Sequence, residues 1–135
     1  MQKIRQNDSK RFDQWNNKKK LIDSEQNPKI VKERDILFLS VGENVGFEQN
    51  GKGKDFLRPV LVYKKFSSSV FLGVPLTKTQ KDEKFYFSFP FKGKISTAIL
   101  SQIRLFDTKR VKYFRGRLGR GAFGELKKKL IELLQ

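Results

Sequence analysis

Two neighbouring apolar runs, Pro59-Val-Leu-Val-Tyr63 and Val70-Phe-Leu-Gly-Val-Pro-Leu76, decide the fold class. Both runs are short and rich in β-branched or aromatic residues, which is typical of strands. Pro59 stands near the start of its run, where a missing backbone N–H is tolerated. The two runs therefore predict consecutive strands of one sheet.

Similar runs recur along the chain at intervals of roughly 10–15 residues. The run Lys84 to Phe89 alternates cleanly, so that Phe85, Phe87 and Phe89 share one face of a strand. The remaining candidates are Asp35 to Val41, Ile95 to Leu100 and Gln102 to Phe106. Short strands at this spacing favour a mostly β (α+β) fold, either a small barrel or a strongly curved sheet.

The N-terminal segment, residues 1–33, differs from the strand-rich domain predicted for 34–135 because it is polar and basic. Apolar residues at near-helical spacing predict a helical arm over about 9–26, and these residues are Phe12, Trp15 and Ile22. The candidate caps are Asp8 and Ser9, and Pro28 would discourage continuation of the helix. The run Lys18-Lys-Lys20 is either a solvated helix face or a phosphate contact.

The C-terminal segment predicts an amphipathic helix that packs on the sheet or on a second subunit. Its apolar face contains Phe123, Leu126, Leu130 and Leu134, joined by Ile131 and Leu133, and its outer side carries Lys127 to Lys129. Four glycines precede or interrupt this face, which predicts a turn-rich connector over Gly116 to Gly124.

The composition of the chain indicates which partners it can bind and which kinds of chemistry it cannot perform. The 135 residues include 30 Lys and Arg against 14 Asp and Glu, for a formal net charge of +16. Such an excess favours a polyanionic partner, namely nucleic acid, an acidic protein or an anionic membrane. The absence of His and Cys excludes disulfides, thiolate metal sites and Ser-His-Asp chemistry. No apolar run approaches the ~20 residues of a transmembrane helix and no signal-peptide core is visible, so we expect a cytoplasmic protein.

Four short motifs combine polar residues with strand ends. They read Gly46-Phe-Glu48-Gln49, Arg58-Pro-Val-Leu-Val62, Val74-Pro-Leu-Thr77 and Leu100-Ser-Gln102-Ile-Arg104, the last followed by Asp107 and Arg110. Each motif alone has a structural explanation. Arg58 could be a surface ion-pair partner and Thr77 a structural strand end, and Ser101-Gln102 inside an apolar strand could be partners of neighbouring backbone groups. Glu48-Gln49 could be ordinary loop polarity, with Glu48 holding the loop by ion pairing. Arg110 could equally pair internally with Asp107.

Together, in this order, the motifs resemble the PemK/MazF toxin family over about residues 34–135. The resemblance implies a small SH3-like curved barrel of the MazF/Kid/CcdB type that forms a homodimer. It also implies sequence-specific cleavage of single-stranded RNA without a metal or other cofactor, and neutralisation by a cognate antitoxin. The loop between Gln49 and Arg58 is longer than in short family members, so no cleavage sequence is carried over.

The chemistry of metal-free RNA cleavage suits these residues. The 2′-OH attacks the adjacent phosphorus, leaving a 2′,3′-cyclic phosphate and a 5′-OH, so charge on the phosphoryl oxygens needs stabilisation. Arg58, which the resemblance makes catalytic, carries a planar, permanently charged fork for those oxygens. Thr77 offers a hydroxyl to the phosphate or a proton relay, and Glu48 could orient Arg58 or accept the 2′-OH proton.

Several further residues are candidates for RNA binding. The resemblance places Ser101 and Gln102 in the RNA groove, where they could read base edges, and Gln49 is assigned with them. The candidate phosphate contacts are Lys52, Lys78 and Arg104, and the candidate stacking faces are Phe47 and Phe56.

Two other functions remain open at this point. A CcdB-like protein would inhibit DNA gyrase and leave RNA whole, and a non-catalytic module would bind nucleic acid without cutting it. The arm could extend the dimer, cover the groove or bind RNA. If it is peripheral, deletion of residues 1–26 leaves cleavage of a short RNA largely intact.

Overall fold

The computed structural model describes residues 11–26, 29–80 and 83–135. Within these ranges the chain forms seven strands and two α-helices. In chain order they are α1 (Phe12–Asp23), β1 (Asp35–Ser40), β2 (Leu57–Lys65), β3 (Val70–Thr77), β4 (Tyr86–Phe91), β5 (Lys94–Ile99), β6 (Arg104–Asp107), β7 (Val111–Arg117) and α2 (Arg120–Leu134). This is the mostly β architecture that the spacing of apolar runs predicts.

The strands form one antiparallel sheet in the order β4-β5-β3-β2-β1-β7, and β6 pairs with β3 beside this path. Strand β3 pairs along one edge with two strands in succession. Its residues Val70 to Gly73 pair with β6, and Leu76 and Thr77 pair with β5. Because one edge serves two strands, the sheet curves strongly, but it does not close into a barrel.

The sheet is buried on both faces. Successive side chains of a strand point to opposite faces, so Ile36 and Leu61 belong to one core cluster while Leu37 and Val60 belong to the other. Helix α2 covers the first face through Phe123, Leu126 and Leu130, whereas Ile131 and Leu134 are exposed. Two-sided burial explains why β1 reads as a nearly continuous apolar run.

The predicted connector over Gly116 to Gly124 is wrong. Gly116 lies in β7, Gly119 is the residue before α2, and Gly121 and Gly124 lie inside that helix. A Cβ atom at Gly116 would lie 2.6 Å from Cζ of Phe91, so this glycine lets β7 pass close to β4. Strand β7, which pairs with β1, had no counterpart in the sequence prediction.

The segment around Ser101 and Gln102 is not part of a strand. Leu100–Gln102 forms a single 3₁₀ turn that separates β5 from β6. The turn redirects the chain from pairing with β4 to pairing with β3. Gln102 therefore projects from a turn, where its side chain reaches backbone outside its own sheet.

The predicted N-terminal helix is present as α1, and it packs against the sheet domain. Only Trp15 of its three apolar positions is buried, Ile22 is half-buried, and Phe12 is exposed. The predicted cap residues and Pro28 lie outside the described residues, as do residues 9 and 10. The domain boundary between 33 and 34 stays a prediction. No helix in the described ranges has the length and apolarity needed to cross a membrane.

Candidate active site

A basic cavity of about 500 Å³ lies where β2 begins and β3 ends. Five cationic side chains line it, and they are Lys52, Arg58, Lys78, Lys94 and Arg115. Its aromatic walls are Phe38 and Phe91, and its hydroxyl and amide groups come from Thr77, Ser96 and Gln80. No carboxylate from the described part of the chain lines it. The cavity is therefore suited to a polyanion that also carries flat, apolar groups.

Arg58 is anchored inside this cavity by two backbone carbonyls. Its Nε donates to the carbonyl oxygen of Asn50 at 2.8 Å, and its Nη1 donates to that of Leu76 at 3.1 Å. Burial lowers the pKa of the Arg58 guanidinium, but the group stays cationic at neutral pH because the ordinary pKa of an arginine lies far above neutrality. Within the described part of the chain Nη2 has no hydrogen-bond partner, so it can serve phosphoryl oxygens together with the second N–H of Nη1.

Thr77 is brought next to Arg58 by the pairing of β2 with β3. It follows Leu76, whose carbonyl accepts the Arg58 hydrogen bond, and it ends β3. Its hydroxyl oxygen accepts from the backbone N–H of Thr79 at 3.4 Å. Both Arg58 and Thr77 line the basic cavity, so the structure brings the two main candidates together.

The loop from 42 to 56, which follows β1, forms one wall of the site. Asn44 ties its two halves together: its backbone N–H donates to the side-chain oxygen of Asn50 at 2.6 Å, and its side-chain amide donates to the carbonyl of Gln49 at 2.6 Å. Gly42 and Gly53 adopt φ values of 84° and 74°, which favour glycine. These contacts hold Asn50 where Arg58 meets it.

Gln102 fastens the same loop from the other side. Its side-chain oxygen accepts from the backbone N–H of Gln49 at 3.1 Å, and its amide nitrogen donates to the carbonyl of Phe47 at 2.9 Å. Both ends of the Gln102 side-chain amide are thus bound to the loop. This is the role as a partner of backbone groups that was considered for Gln102 from the sequence. Ser101 beside it is exposed.

Glu48 lies outside the basic cavity. It borders a smaller cavity of about 40 Å³, which Arg58 also borders, together with Gln49, Gln102 and Arg104. The exposed Glu48 carboxylate forms no ion pair with a residue that the structure describes. Arg58 is therefore the residue that the two cavities share.

The other predicted RNA contacts divide into two groups. Lys52 and Lys78 line the basic cavity, whereas Arg104 lies over the ring of Phe106 at 4.6 Å, beside the smaller cavity. Phe47 is 98% exposed and free to stack on a base. The stacking role considered for Phe56 is wrong, because this residue is 2% exposed and packs against Trp15.

Arg110 is an internal residue without a direct ion pair to Asp107 among the described residues. It donates instead to the carbonyl of Ser40 at 3.0 Å and lies 5.7 Å from the centre of the Trp15 ring. Burial, with a contribution from nearby Arg104, lowers the pKa of Arg110, and Asp107 opposes this shift.

Sequence reasoning missed several residues of the cavity, notably Lys94, Arg115 and the aromatic walls. No local signal pointed to Arg115, because β7 was not predicted and the residue reaches the cavity only through the pairing of β7 with β1. Asn50 directly follows the Gly46-to-Gln49 motif and could have been found by extending it. Among the described residues, no cluster of three His, Cys, Asp or Glu side chains could hold a metal ion.

Comparison with known structures finds the same fold in several solved proteins. MazF from Deinococcus radiodurans matches with a TM-score of 0.63 at 20% identity, over 78% of this chain and 97% of that one. A MazE-MazF structure from the same organism matches with a TM-score of 0.61 at 17% identity, over 78% and 96%. An endoribonuclease in complex with its cognate antitoxin from a mycobacterial species matches with a TM-score of 0.59 at 11% identity, over 78% and 95%.

The family is established by the sequence itself. No curated protein sequence matches the chain, but the family model of the PemK-like, MazF-like toxins of type II toxin-antitoxin systems matches residues 32–134. This range begins after α1 and includes every strand of the sheet and α2. The chain therefore belongs to the PemK-like, MazF-like toxin family.

Proposed function

We propose that this chain is a cytoplasmic toxin endoribonuclease that cleaves single-stranded RNA at specific short sequences, without a metal, until a cognate antitoxin neutralises it. One observation carries the proposal. Arg58, held by two carbonyls, lies beside Thr77 in a cavity lined by five cations and no described carboxylate. Membership of the toxin family supports the same reading.

The proposed reaction needs charge stabilisation above all. The 2′-OH loses its proton as its oxygen forms a bond to phosphorus. The bond from phosphorus to the 5′-oxygen breaks and that oxygen takes up a proton, so the products are a 2′,3′-cyclic phosphate and a 5′-OH. Negative charge accumulates on the phosphoryl oxygens in between. Arg58 is pre-organised to meet it, because its backbone contacts use only two of the five N–H groups of the guanidinium.

Thr77 and Glu48 take supporting roles in this proposal. The Thr77 hydroxyl donates a hydrogen bond to the scissile phosphate, since it is half-buried beside Arg58 in the same cavity. Glu48 orients the guanidinium electrostatically across the smaller cavity, which both residues border. This assignment favours the orienting role for Glu48 over acceptance of the 2′-OH proton.

The remaining candidates bind the strand on either side of the cut. Lys52 and Lys78 neutralise flanking phosphates at the cavity rim, and exposed Phe47 stacks on an unpaired base. Gln49 and Gln102 line the smaller cavity, where Arg104 supplies a further cation, and exposed Ser101 lies next to Gln102 in the chain. Gln102 contributes mainly by shaping the loop that the RNA crosses.

The proposal includes two protein partners. One is a cognate antitoxin, which the family and the antitoxin-bound mycobacterial relative suggest. A net charge of +16 favours an acidic antitoxin segment that occupies the RNA groove. The other partner is a second copy of the chain, since the family resemblance implies a homodimer and α2 leaves Ile131 and Leu134 exposed.

The test is cleavage of a long single-stranded RNA in EDTA by the purified chain, with mapping of the fragment ends. We expect discrete cuts with cyclic-phosphate ends, and a loss of at least ~100-fold in rate for Arg58→Ala. Thr77→Val should lose about 10-fold or more, because it removes one hydrogen bond to the transition state.

Matched controls are available on the same strands. Lys65→Ala removes a cation from the exposed end of β2, and Thr79→Ala removes an exposed hydroxyl next to the site; both should cleave like the wild type. RNA that stays intact at a high enzyme ratio would overturn the proposal. Arrested DNA replication with whole transcripts would then point to gyrase inhibition, and salt-sensitive binding alone to a non-catalytic module.

A further inference from the structure

We propose that Arg11 and Trp15 of α1 are positioning residues for Arg58, acting through the loop from 42 to 56. This inference rests on the proposed function, because Arg58 is its endpoint. It concerns a part of the chain that the family model does not cover, since that model begins at residue 32. A series of contacts leads from the helix, through the loop, to the guanidinium.

Trp15 clamps both ends of the loop. A Cβ atom at Gly42 would lie 2.0 Å from Cε2 of Trp15, so the indole rests directly on the backbone where the loop begins. The ring centre of Phe56, where the loop ends, lies 5.3 Å from that of Trp15. Trp15 is 6% exposed and Phe56 2% exposed. The two loop ends therefore share one buried aromatic contact with the helix.

Arg11 holds the middle of the loop. Its Nη1 donates to the carbonyl of Gly53 at 2.6 Å, and its Nη2 donates to that of Gly51 at 3.3 Å. Nη2 also lies 3.1 Å from a carboxylate oxygen of Glu43, and the guanidinium lies 4.1 Å from the centre of the Phe56 ring. One side chain thus joins four loop residues that the sequence spreads from 43 to 56.

The link to the cavity is a pair of adjacent carbonyls. Arg58 donates to the carbonyl of Asn50 at 2.8 Å, and Arg11 donates to that of the next residue, Gly51. The Gly51 N–H is also used, since it donates to the carbonyl of Gly42 at 2.7 Å. A Cβ atom at Gly51 would lie 1.7 Å from the carbonyl oxygen of Phe56, so the backbone crosses there at close range. A shift of Gly51 therefore moves Asn50 and the Arg58 guanidinium with it.

Because of these contacts, we expect deletion of residues 1–26 to reduce cleavage, whereas deletion of a peripheral arm would leave it intact. A chain that lacks residues 1–26 would lose Arg11, Trp15 and the ion pair between Lys18 and Asp55 at 2.9 Å. The loop would keep its internal Asn44 contacts but lose its outer support. Because a displacement of about 1 Å can cost ~100-fold in rate, cleavage should fall although every strand remains.

The experiment uses the full chain with single substitutions and a short RNA that contains one mapped cut site. We expect Arg11→Ala and Trp15→Ala to lower kcat roughly 10- to 100-fold with less than about threefold change in KM. Trp15→Phe should recover most of kcat, because a phenyl ring still fills the space between Gly42 and Phe56. The control is Asn17→Ala, which removes an exposed polar side chain of the same helix and should leave kcat unchanged.

A second readout follows the loop directly. Hydrogen exchange at the Gly51 and Lys52 amides should become about tenfold faster in Arg11→Ala, while exchange in β2 stays as in the wild type. Wild-type values of kcat for both Arg11→Ala and Trp15→Ala, or a change in KM alone, would overturn the inference and leave the proposed function intact. A wild-type chain that cuts no RNA would defeat the proposed function and this inference with it.

Discussion

At the scale of single residues, the site depends on how little freedom Arg58 has. Two carbonyls from different parts of the chain, Asn50 and Leu76, fix its guanidinium before any ligand arrives. Preorganised donors of this kind stabilise developing charge without further reorganisation. The neighbouring residues differ in rank: Thr77 shares the basic cavity with Arg58, whereas Glu48 meets it only in the smaller one.

This ranking predicts the behaviour of Glu48→Gln. The substitution keeps the shape of the side chain and removes its charge, so we expect kcat to fall less than about tenfold. Arg58→Ala, measured in parallel, gives the rate loss with which this effect is compared. A loss of ~100-fold or more in Glu48→Gln would instead make Glu48 the acceptor of the 2′-OH proton.

At the scale of elements, β3 is the strand that organises the sheet. It pairs with β2 along one edge and with β6 and then β5 along the other, and it delivers Thr77 to the cavity at its end. Gly73 lies at its centre, where a Cβ atom would meet Val60 at 2.7 Å and Phe106 at 2.9 Å. The strand therefore has no space for even one additional methyl group at this position.

Two glycine substitutions should consequently have opposite effects on stability. Gly73→Ala overpacks the core beside β3 and should destabilise the fold by about 1–3 kcal/mol. Gly121→Ala in α2 meets no atom within 4 Å and should stabilise it by about 0.5–1 kcal/mol through helix propensity. Denaturant unfolding of both variants measures the difference, and equal midpoints would contradict the described packing of β3.

Also at the scale of elements, helix α1 makes a pH-dependent contact with the loop from 42 to 56. A hydrogen bond from Lys18 lowers the pKa of the Asp55 carboxyl, with smaller help from Lys112 and Lys54. A depressed carboxyl pKa stabilises the folded state above its ordinary value of about 4 and ceases to do so as pH falls through the folded value. Attachment of α1 to the loop should therefore weaken in acid.

The single tryptophan of the chain reports this attachment. We expect Asp55→Asn to expose Trp15 to water more than the wild type at pH 7, seen as red-shifted emission. The difference between the two proteins should shrink as pH falls through the lowered pKa of the folded Asp55 carboxyl, because the wild-type carboxyl then becomes neutral as well. Identical emission at every pH would show that Lys18 and Asp55 do not support the helix.

At the scale of the whole molecule, charge decides which partners can approach. The excess of 16 positive charges has no pH switch near neutrality, since the chain contains no His. Five of the cations converge on one cavity, with two aromatic walls between them. A strand of RNA carries the matching pattern of phosphates and flat bases, and the affinity of such a contact depends steeply on salt.

Salt titration measures the number of phosphates engaged. Neutralisation of five phosphates on a single strand predicts a slope of about −3.5 for log K against log salt concentration. Lys94→Ala, at a cavity residue that sequence analysis did not find, should reduce the slope by roughly 0.7. Lys65→Ala serves as the control outside the cavity, and equal slopes for all three proteins would exclude Lys94 from the RNA path.

The sequence by itself determined the features that depend on neighbours in the chain. Alternation and β-branched runs predicted β1 to β6 near their observed positions, and the apolar face of α2 was visible from Phe123, Leu126 and Leu130. Charge indicated a polyanionic partner, and four motifs were sufficient to indicate the family. These features are local because propensity and periodicity act over a few residues.

Only the tertiary structure decided the features that join distant parts of the chain. Strand β7 lacks clear alternation and exists through its pairing with β1. Arg115 reaches the cavity by way of that strand, and Phe56 is buried because α1 covers it. Arg11 meets Gly51 across 40 residues of sequence. Such contacts form when the sheet curves and the helix packs against it, and no short-range pattern encodes where those surfaces meet.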